Sequence, residues 1–94
     1  MEFSISVDKI NDNMNIIDIR DEYQYKQGHI ANAYLIPKEK LLGSPELYLT
    51  KYNVYYLYCN FGIQSMKVCR MLKEQGYQVI SIDGGFMEYK SRKR

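Results

Sequence analysis

Cys59 is the residue in this chain best placed to do chemistry. It follows the apolar run Val54-Tyr55-Tyr56-Leu57-Tyr58 and opens the segment Cys59-Asn60-Phe61-Gly62-Ile63-Gln64-Ser65, which leads into a helical pattern. A thiol at the carboxyl end of a buried strand, cupped by a short loop before a helix, lies where open α/β sheets present their ligands. Unpaired N–H groups and the helix dipole favour an anion there. The same field favours the thiolate, which is the nucleophilic form of cysteine. Gly62, in mid-loop, permits the positive φ that a tight cradle of N–H groups requires. Ser65 has a hydroxyl that can cap the helix or turn inward.

The other candidates are weaker. Cys69 shares a helix face with Val68 and Leu72 and reads as core filler. If the segment is helical, the two cysteines stand ~15 Å apart at the helical rise per residue, beyond disulfide reach. His29 is the one histidine; it could titrate near neutrality but reads as a structural imidazole. Asp18 and Arg20 end a strand and could line the same edge as Cys59. The preferred reading is structural, with each paired to a neighbour, Arg20 to Glu22 for example. Asp83-Gly84-Gly85 reads as a turn that shapes the same edge. Two cysteines and one histidine lack zinc-site spacing, so no metal and no cofactor are expected.

These groups need a frame, and the chain supplies a repeating one. Phe3-Ser4-Ile5 reads as a short edge strand, and Ser6 caps a short helix through Ile10. Asn15–Ile19 is a compact β-branched run, hence a central strand. Asp21 caps a helix from Glu22 to Gln27, ended by Gly28. A strand ends at Ile36-Pro37, a helix spans Lys38–Leu42, and Ser44-Pro45 starts another short one. Val54–Tyr58 is the most apolar strand, Gln64–Gln75 is helical with Gly76 as its stop, Gln78–Ile82 is the last strand, and Phe86–Lys90 begins a terminal helix. Strands alternating with helices predict an α/β domain, a parallel sheet covered on both faces.

The 94 residues suit one domain, expected to span 1–94. Thirteen basic and eleven acidic residues leave a net charge of +2, too balanced to argue for nucleic acid. The basic cluster Lys90-Ser91-Arg92-Lys93-Arg94 reads as a frayed, solvated tail. No apolar run approaches the ~18 residues of a membrane span, and the first residues lack the pattern of a signal peptide. A cytoplasmic monomer without membrane or nucleic-acid partners is the expectation. Among the ten tyrosines, Tyr55, Tyr56 and Tyr58 flank the Cys59 strand, and Phe61 at the loop tip is the best candidate for contact with a substrate or a protein.

Three blocks of residues resemble the rhodanese-like sulfurtransferases. The first is Ile16-Ile17-Asp18-Ile19-Arg20, Tyr23, Gly28-His29-Ile30-Ala31-Asn32-Ala33 and Ile36-Pro37. The second is Tyr56-Leu57-Tyr58-Cys59 with Gly62 and Ser65. The third is Leu72, Gly76-Tyr77, Val79 and Asp83-Gly84-Gly85-Phe86. The resemblance implies a five-stranded, mostly parallel sheet. It implies Cys59 as the nucleophile that accepts a sulfane sulfur as a persulfide, and Asn60, Phe61, Gly62, Ile63, Gln64 and Ser65 as the loop that binds it. Its implied partners are a small sulfur donor, thiosulfate or a persulfide, and a thiol acceptor or sulfur-carrier protein. Phosphatases and arsenate reductases of the family have a longer loop with an arginine at its end; here the segment fits the six-residue sulfur-transfer loop. Many members carry basic residues in that loop, often just before the serine. Here that position is Gln64 and Asn60 follows the cysteine, so the loop is neutral and weaker capture of the thiosulfate dianion is expected. The alternatives are a non-catalytic rhodanese-fold module for protein binding or sulfur carriage, a redox-sensing thiol, and a phosphatase-like activity.

Overall fold

The computed structural model describes residues 4–92. Five strands form one sheet in the order β1-β5-β4-β2-β3, with every pairing parallel. The strands are β1 (Ser4–Ile5), β2 (Asn15–Asp18), β3 (Tyr34–Leu35), β4 (Val54–Tyr58) and β5 (Gln78–Ile82). The helices are α1 (Glu22–Gln27), α2 (Lys38–Gly43), α3 (Ile63–Glu74) and α4 (Gly85–Arg92), with 3-10 turns at Val7–Lys9 and Pro45–Leu47. The expected α/β architecture is therefore the observed one. No helix among the described residues is long and apolar enough to cross a membrane.

Successive side chains of a strand point to opposite faces, and β4 builds two cores in this way. Tyr55, Leu57 and Cys59 join Leu41, Val68, Cys69 and Leu72 of α2 and α3 on one side. Tyr58 joins Val7, Ile30 and Ile82 on the other, with Phe86 and Tyr89 of α4 packed against them. Burial on both faces explains why the central strands read as continuous apolar runs. The parallel order places the carboxyl ends of β2, β4 and β5 at one edge, where Arg20, Cys59 and Asp83 leave the sheet.

A buried polar network ties that edge together. Asp18, with no exposed surface, accepts a bifurcated hydrogen bond from the single Arg20 Nε–H, at 3.0 and 3.1 Å to its two oxygens, and one from Nη2 at 2.7 Å. Tyr58 donates to the same carboxylate at 2.6 Å and accepts from the Ile30 N–H at 3.0 Å. Burial, reinforced by the carboxylate, raises the Tyr58 phenol and keeps it neutral. Burial alone would lower Arg20, but its bonds to Asp18 outweigh that and raise it. Arg20 Nη2 also donates to Gly28 O at 2.7 Å, and its guanidinium lies 4.3 Å over the Phe86 ring.

Several local expectations change. Arg20 pairs with Asp18 rather than Glu22, which instead meets exposed Lys26 across one helical turn. The helix after Ser6 is a single 3-10 turn, capped by the Ser6 hydroxyl through Asp8 N–H. Ser44 makes no side-chain cap, and Pro45 alone opens its turn. The basic tail is helical through Arg92, which bonds Asp8 and Glu88, so a residue expected to fray finds two acidic partners. Lys93, Arg94 and the first residue of the expected edge strand, Phe3, lie outside the described residues.

The network predicts the effect of Asp18→Ala. It strands a buried guanidinium and should lower unfolding stability by about 3–5 kcal/mol, read from urea denaturation. A loss below about 1 kcal/mol would mean that the pair is not held in the interior as described.

Candidate active site

Cys59 leaves the end of β4 with only 7% of its surface exposed, yet it forms part of the wall of an open cavity of about 410 Å³. The sulfur is thus sunk into the core cluster on one side and open to the cavity on the other. Three groups hold it. The Gly62 N–H donates to Sγ at 3.1 Å and the Ser65 N–H at 3.3 Å, while Ser65 Oγ lies 3.6 Å away. The Phe61 N–H adds a weaker contribution. Burial alone would raise this thiol, but the Ser65 hydroxyl and the N–H groups of Ser65, Gly62 and Phe61 outweigh it and hold it below its ordinary range. A value lower in the folded state adds stability above the unfolded-state thiol range and loses it as pH falls through the folded-state value.

The loop geometry explains the convergence. Gly62 is the N-cap of α3 at φ +95°, and a Cβ there would sit 3.0 Å from the Gly84 nitrogen. Only glycine meets both conditions comfortably. The carbonyls of Cys59 and Asn60 point away from the sulfur and accept from the N–H groups of Phe86 and Met87, at 2.9 and 3.0 Å, in the first turn of α4. Gly85 makes that approach possible: a Cβ on it would fall 2.3 Å from the Cys59 carbonyl oxygen. The Asp83-Gly84-Gly85 turn therefore backs the loop, as a geometric rather than a chemical element.

The predicted loop residues come together, in different positions. Asn60 uses its side-chain oxygen to accept from Arg20 Nη1 at 3.1 Å, which joins the loop to the buried network. Phe61, 67% exposed, and Ile63, also exposed, form an apolar rim beside the cavity. Gln64 lines the cavity and accepts from Lys38 Nζ at 3.2 Å. Ser65 turns inward as the third residue of α3 and is not its cap; its hydroxyl contacts Gly62 O at 3.3 Å and Ser81 Oγ at 2.7 Å. His29 is exposed, stacked on Tyr25 and bonded to its carbonyl, beside a different cavity. Cys69 is free, fully buried and pushed up to about 12 by that burial. Among the described residues no group of three or more His, Cys, Asp or Glu could hold a metal ion.

Two residues at the site carried no signal in the sequence. Lys38, at the start of α2, brings an ammonium to the cavity wall from 21 residues before Cys59. The bowl itself is neutral, but the cavity above it is not without a cation. Ser81, on β5, supplies the second buried hydroxyl; nothing in the pattern Gln78–Ile82 distinguishes it from other strand residues.

The rhodanese-like domain model matches residues 6–92. The chain belongs to the rhodanese-like domain family. Among curated relatives, the thiosulfate sulfurtransferase GlpE of Coxiella burnetii is 39% identical over 77 residues, covering 81% of this chain and 71% of that one. A tRNA uridine(34) hydroxylase of an Enterobacter strain is 36% identical over 84 residues, covering 83% of this chain but 24% of the hydroxylase. Among solved structures, a rhodanese-like domain protein from Staphylococcus aureus superposes with a TM-score of 0.82 at 27% identity, over 95% of this chain and 91% of that one. Reduced Bacillus anthracis CoADR-RHD matches at 0.85 and 31% identity, over 96% of this chain and 17% of the larger protein. The family's domain thus occurs both nearly alone and inside larger chains.

The donor set predicts a pH profile. Iodoacetamide should alkylate Cys59 with a midpoint below that of an ordinary thiol. Ser65→Ala should slow the reaction roughly tenfold near neutrality, the order expected for loss of a hydrogen bond to a charged group, with the plateau at high pH unchanged. Cys59→Ser should leave only the slow background of Cys69. An unshifted profile in Ser65→Ala would show that the hydroxyl does not act on the sulfur.

Proposed function

We propose that this rhodanese-like domain is a sulfurtransferase that works through a persulfide on Cys59. The observation that carries the reading is a cavity-facing sulfur on which two main-chain N–H groups and one hydroxyl converge. The Cys59 thiolate attacks the outer sulfur of a donor. A Cys59–sulfur bond forms as the donor's sulfur–sulfur bond breaks, and the electron pair leaves on the donor residue, sulfite from thiosulfate or a thiolate from a persulfide. An acceptor thiolate then attacks the terminal sulfur, forms its own sulfur–sulfur bond and returns Cys59 as thiolate. Neither step needs a base if Cys59 is already ionised, which agrees with the position of His29 outside the cavity. The partners in this reading are a small donor and either a thiol or a sulfur-carrier protein.

The charges favour a donor of low charge over a dianion. The loop from Asn60 to Ser65 has no cation. Arg20 directs its guanidinium to Asp18, Gly28 O and Asn60. Lys38 is the remaining cation on the cavity wall, opposed there by Asp21 and Glu39. A persulfide donor places fewer charges in this setting than thiosulfate does. The missing guanidinium also counts against a phosphate-ester substrate, which is gripped best by a bidentate arginine.

Two experiments test this. After incubation with a persulfide donor, intact-mass analysis should show an adduct of about 32 Da, one sulfur, which a thiol removes and which Cys59→Ser lacks. Its absence across several donors, with the fold intact, would move the chain to the binding-module reading. In steady-state assays with thiosulfate, Gln64→Arg should raise kcat/KM by roughly tenfold, the order of one added charge-assisted contact. No gain would count against the charge argument for the donor.

A further inference from the structure

Ser81 lies on β5, paired in register with Leu57 of the strand that delivers Cys59. It is 1% exposed, so its hydroxyl has to find a partner inside the protein. Among the described residues that partner is Ser65, at 2.7 Å between the two oxygens. Either oxygen could be the donor by distance alone, and the surroundings decide between them.

Each hydroxyl has one hydrogen to give. Ser65 Oγ has three neighbours able to accept it: Cys59 Sγ at 3.6 Å, Gly62 O at 3.3 Å and Ser81 Oγ at 2.7 Å. Were Ser65 to donate to Ser81, the buried Ser81 hydrogen would be left without an acceptor among the described residues. When Ser81 donates to Ser65, both hydrogens are used, and that of Ser65 is free for Sγ or for the Gly62 carbonyl. A sulfur anion is a stronger acceptor than a neutral carbonyl.

We propose that Ser81 is a positioning residue, which donates to Ser65 Oγ and so turns the Ser65 hydrogen onto Cys59 Sγ whenever that sulfur is negatively charged. The donation also polarises the Ser65 O–H and strengthens it as a donor. In the protonated state the thiol can donate to Ser65 Oγ, which still accepts from Ser81 and gives its own hydrogen to the Gly62 carbonyl. The relay thus responds to ionisation without moving a heavy atom. Its catalytic consequence rests on the sulfurtransferase reading; its effect on the thiol does not, because the thiol ionises before any donor arrives.

The charged and titratable groups around Cys59 are separate from this relay. Arg20 and Asp21 follow β2, and Lys38 and Glu39 of α2 share the cavity wall. Arg20 is paired with Asp18, Lys38 is bonded to Gln64, and Cys69 of α3 lies in the same core cluster. Asp83 after β5 and Glu88 of α4 do not line the cavity. None of these groups hydrogen-bonds Sγ, so a Ser81 substitution isolates the hydroxyl.

The test is the iodoacetamide alkylation rate of the full chain against pH. Ser81→Ala should move the midpoint upward and slow alkylation near neutrality by roughly two- to fivefold, less than Ser65→Ala, with the same plateau at high pH. On a Ser65→Ala background, Ser81→Ala should add nothing, because its effect passes through Ser65. Ser81→Thr and Ser81→Val have the same shape and differ by the hydroxyl, so they keep the test sound if alanine unfolds the chain. Threonine should retain the wild-type midpoint and valine should not. Equal profiles for threonine and valine, or an additive effect on the Ser65→Ala background, would overturn the proposal. The expected shifts in a chain that takes sulfur from no donor would sustain the relay and remove the sulfurtransferase reading.

Discussion

A sulfur withdrawn from water drifts towards its protonated, unreactive form unless hydrogen-bond donors replace the water. The two cysteines of this chain make that comparison within one core cluster. Cys69 has burial without such donors and is pushed up to about 12. Cys59 is also largely buried, yet the Ser65 hydroxyl and three N–H groups reverse the sign. The difference lies in the path of the backbone beyond each residue. After Cys69 the helix continues and its N–H groups bond to carbonyls one turn back. After Cys59 the chain turns before α3 starts, and the N–H groups that a helix start leaves unpaired face the sulfur.

That arrangement needs the loop peptides sorted by direction. Their N–H ends face Sγ, while the carbonyls of Cys59 and Asn60 face the first turn of α4. One set of peptides therefore satisfies two ends: the sulfur and the unpaired N–H groups of another helix. Gly62 and Gly85 are the places where a side chain would break this, one through its positive φ beside Gly84 and the other through direct collision with the Cys59 carbonyl. The Asp18–Arg20 pair then fixes the loop from the side through Asn60. The ion pair is structural, but through Asn60 it ends one residue from Cys59.

Most of the frame was legible because it is written locally. The Asp21 cap and Gly28 stop bound α1, the apolar run sets β4, and the Val68, Cys69 and Leu72 face buries α3 as its spacing requires. Cys59 and its loop were legible for the same reason, since strand, loop and helix are contiguous. Contacts between distant positions could not be read. Proximity along the chain matches Arg20 with Glu22, a near neighbour on the exposed side of α1, although Asp18 is equally near and shares its burial. Lys38 and Ser81 reach the site from 21 residues before and 22 residues after Cys59, and only the sheet order brings them there. Ser65 was open between capping and facing inward; the positive φ of Gly62 starts the helix three residues earlier and leaves the hydroxyl for the interior.

The location of charge separates two ways of holding an anion. A guanidinium beside the nucleophile grips an oxyanion by matching its oxygens in pairs. Here the one guanidinium at the site is turned inward, and its fork closes on Asp18 rather than on the cavity. Beside Cys59 there remains a set of partial charges on N–H groups, spread around a single atom. Such a field suits a large, diffuse anion, for which several weak donors do as well as one strong one, and it gives little hold on a compact dianion. Lys38 stands at the wall, engaged with Gln64 and countered by Asp21 and Glu39. It can meet an approaching charge without fixing it over the sulfur. On the proposed sulfurtransferase reading, the site is better adapted to stabilise what forms on Cys59 than to select what arrives, and selection then falls to the apolar rim of Phe61 and Ile63 and to the shape of the cavity behind it.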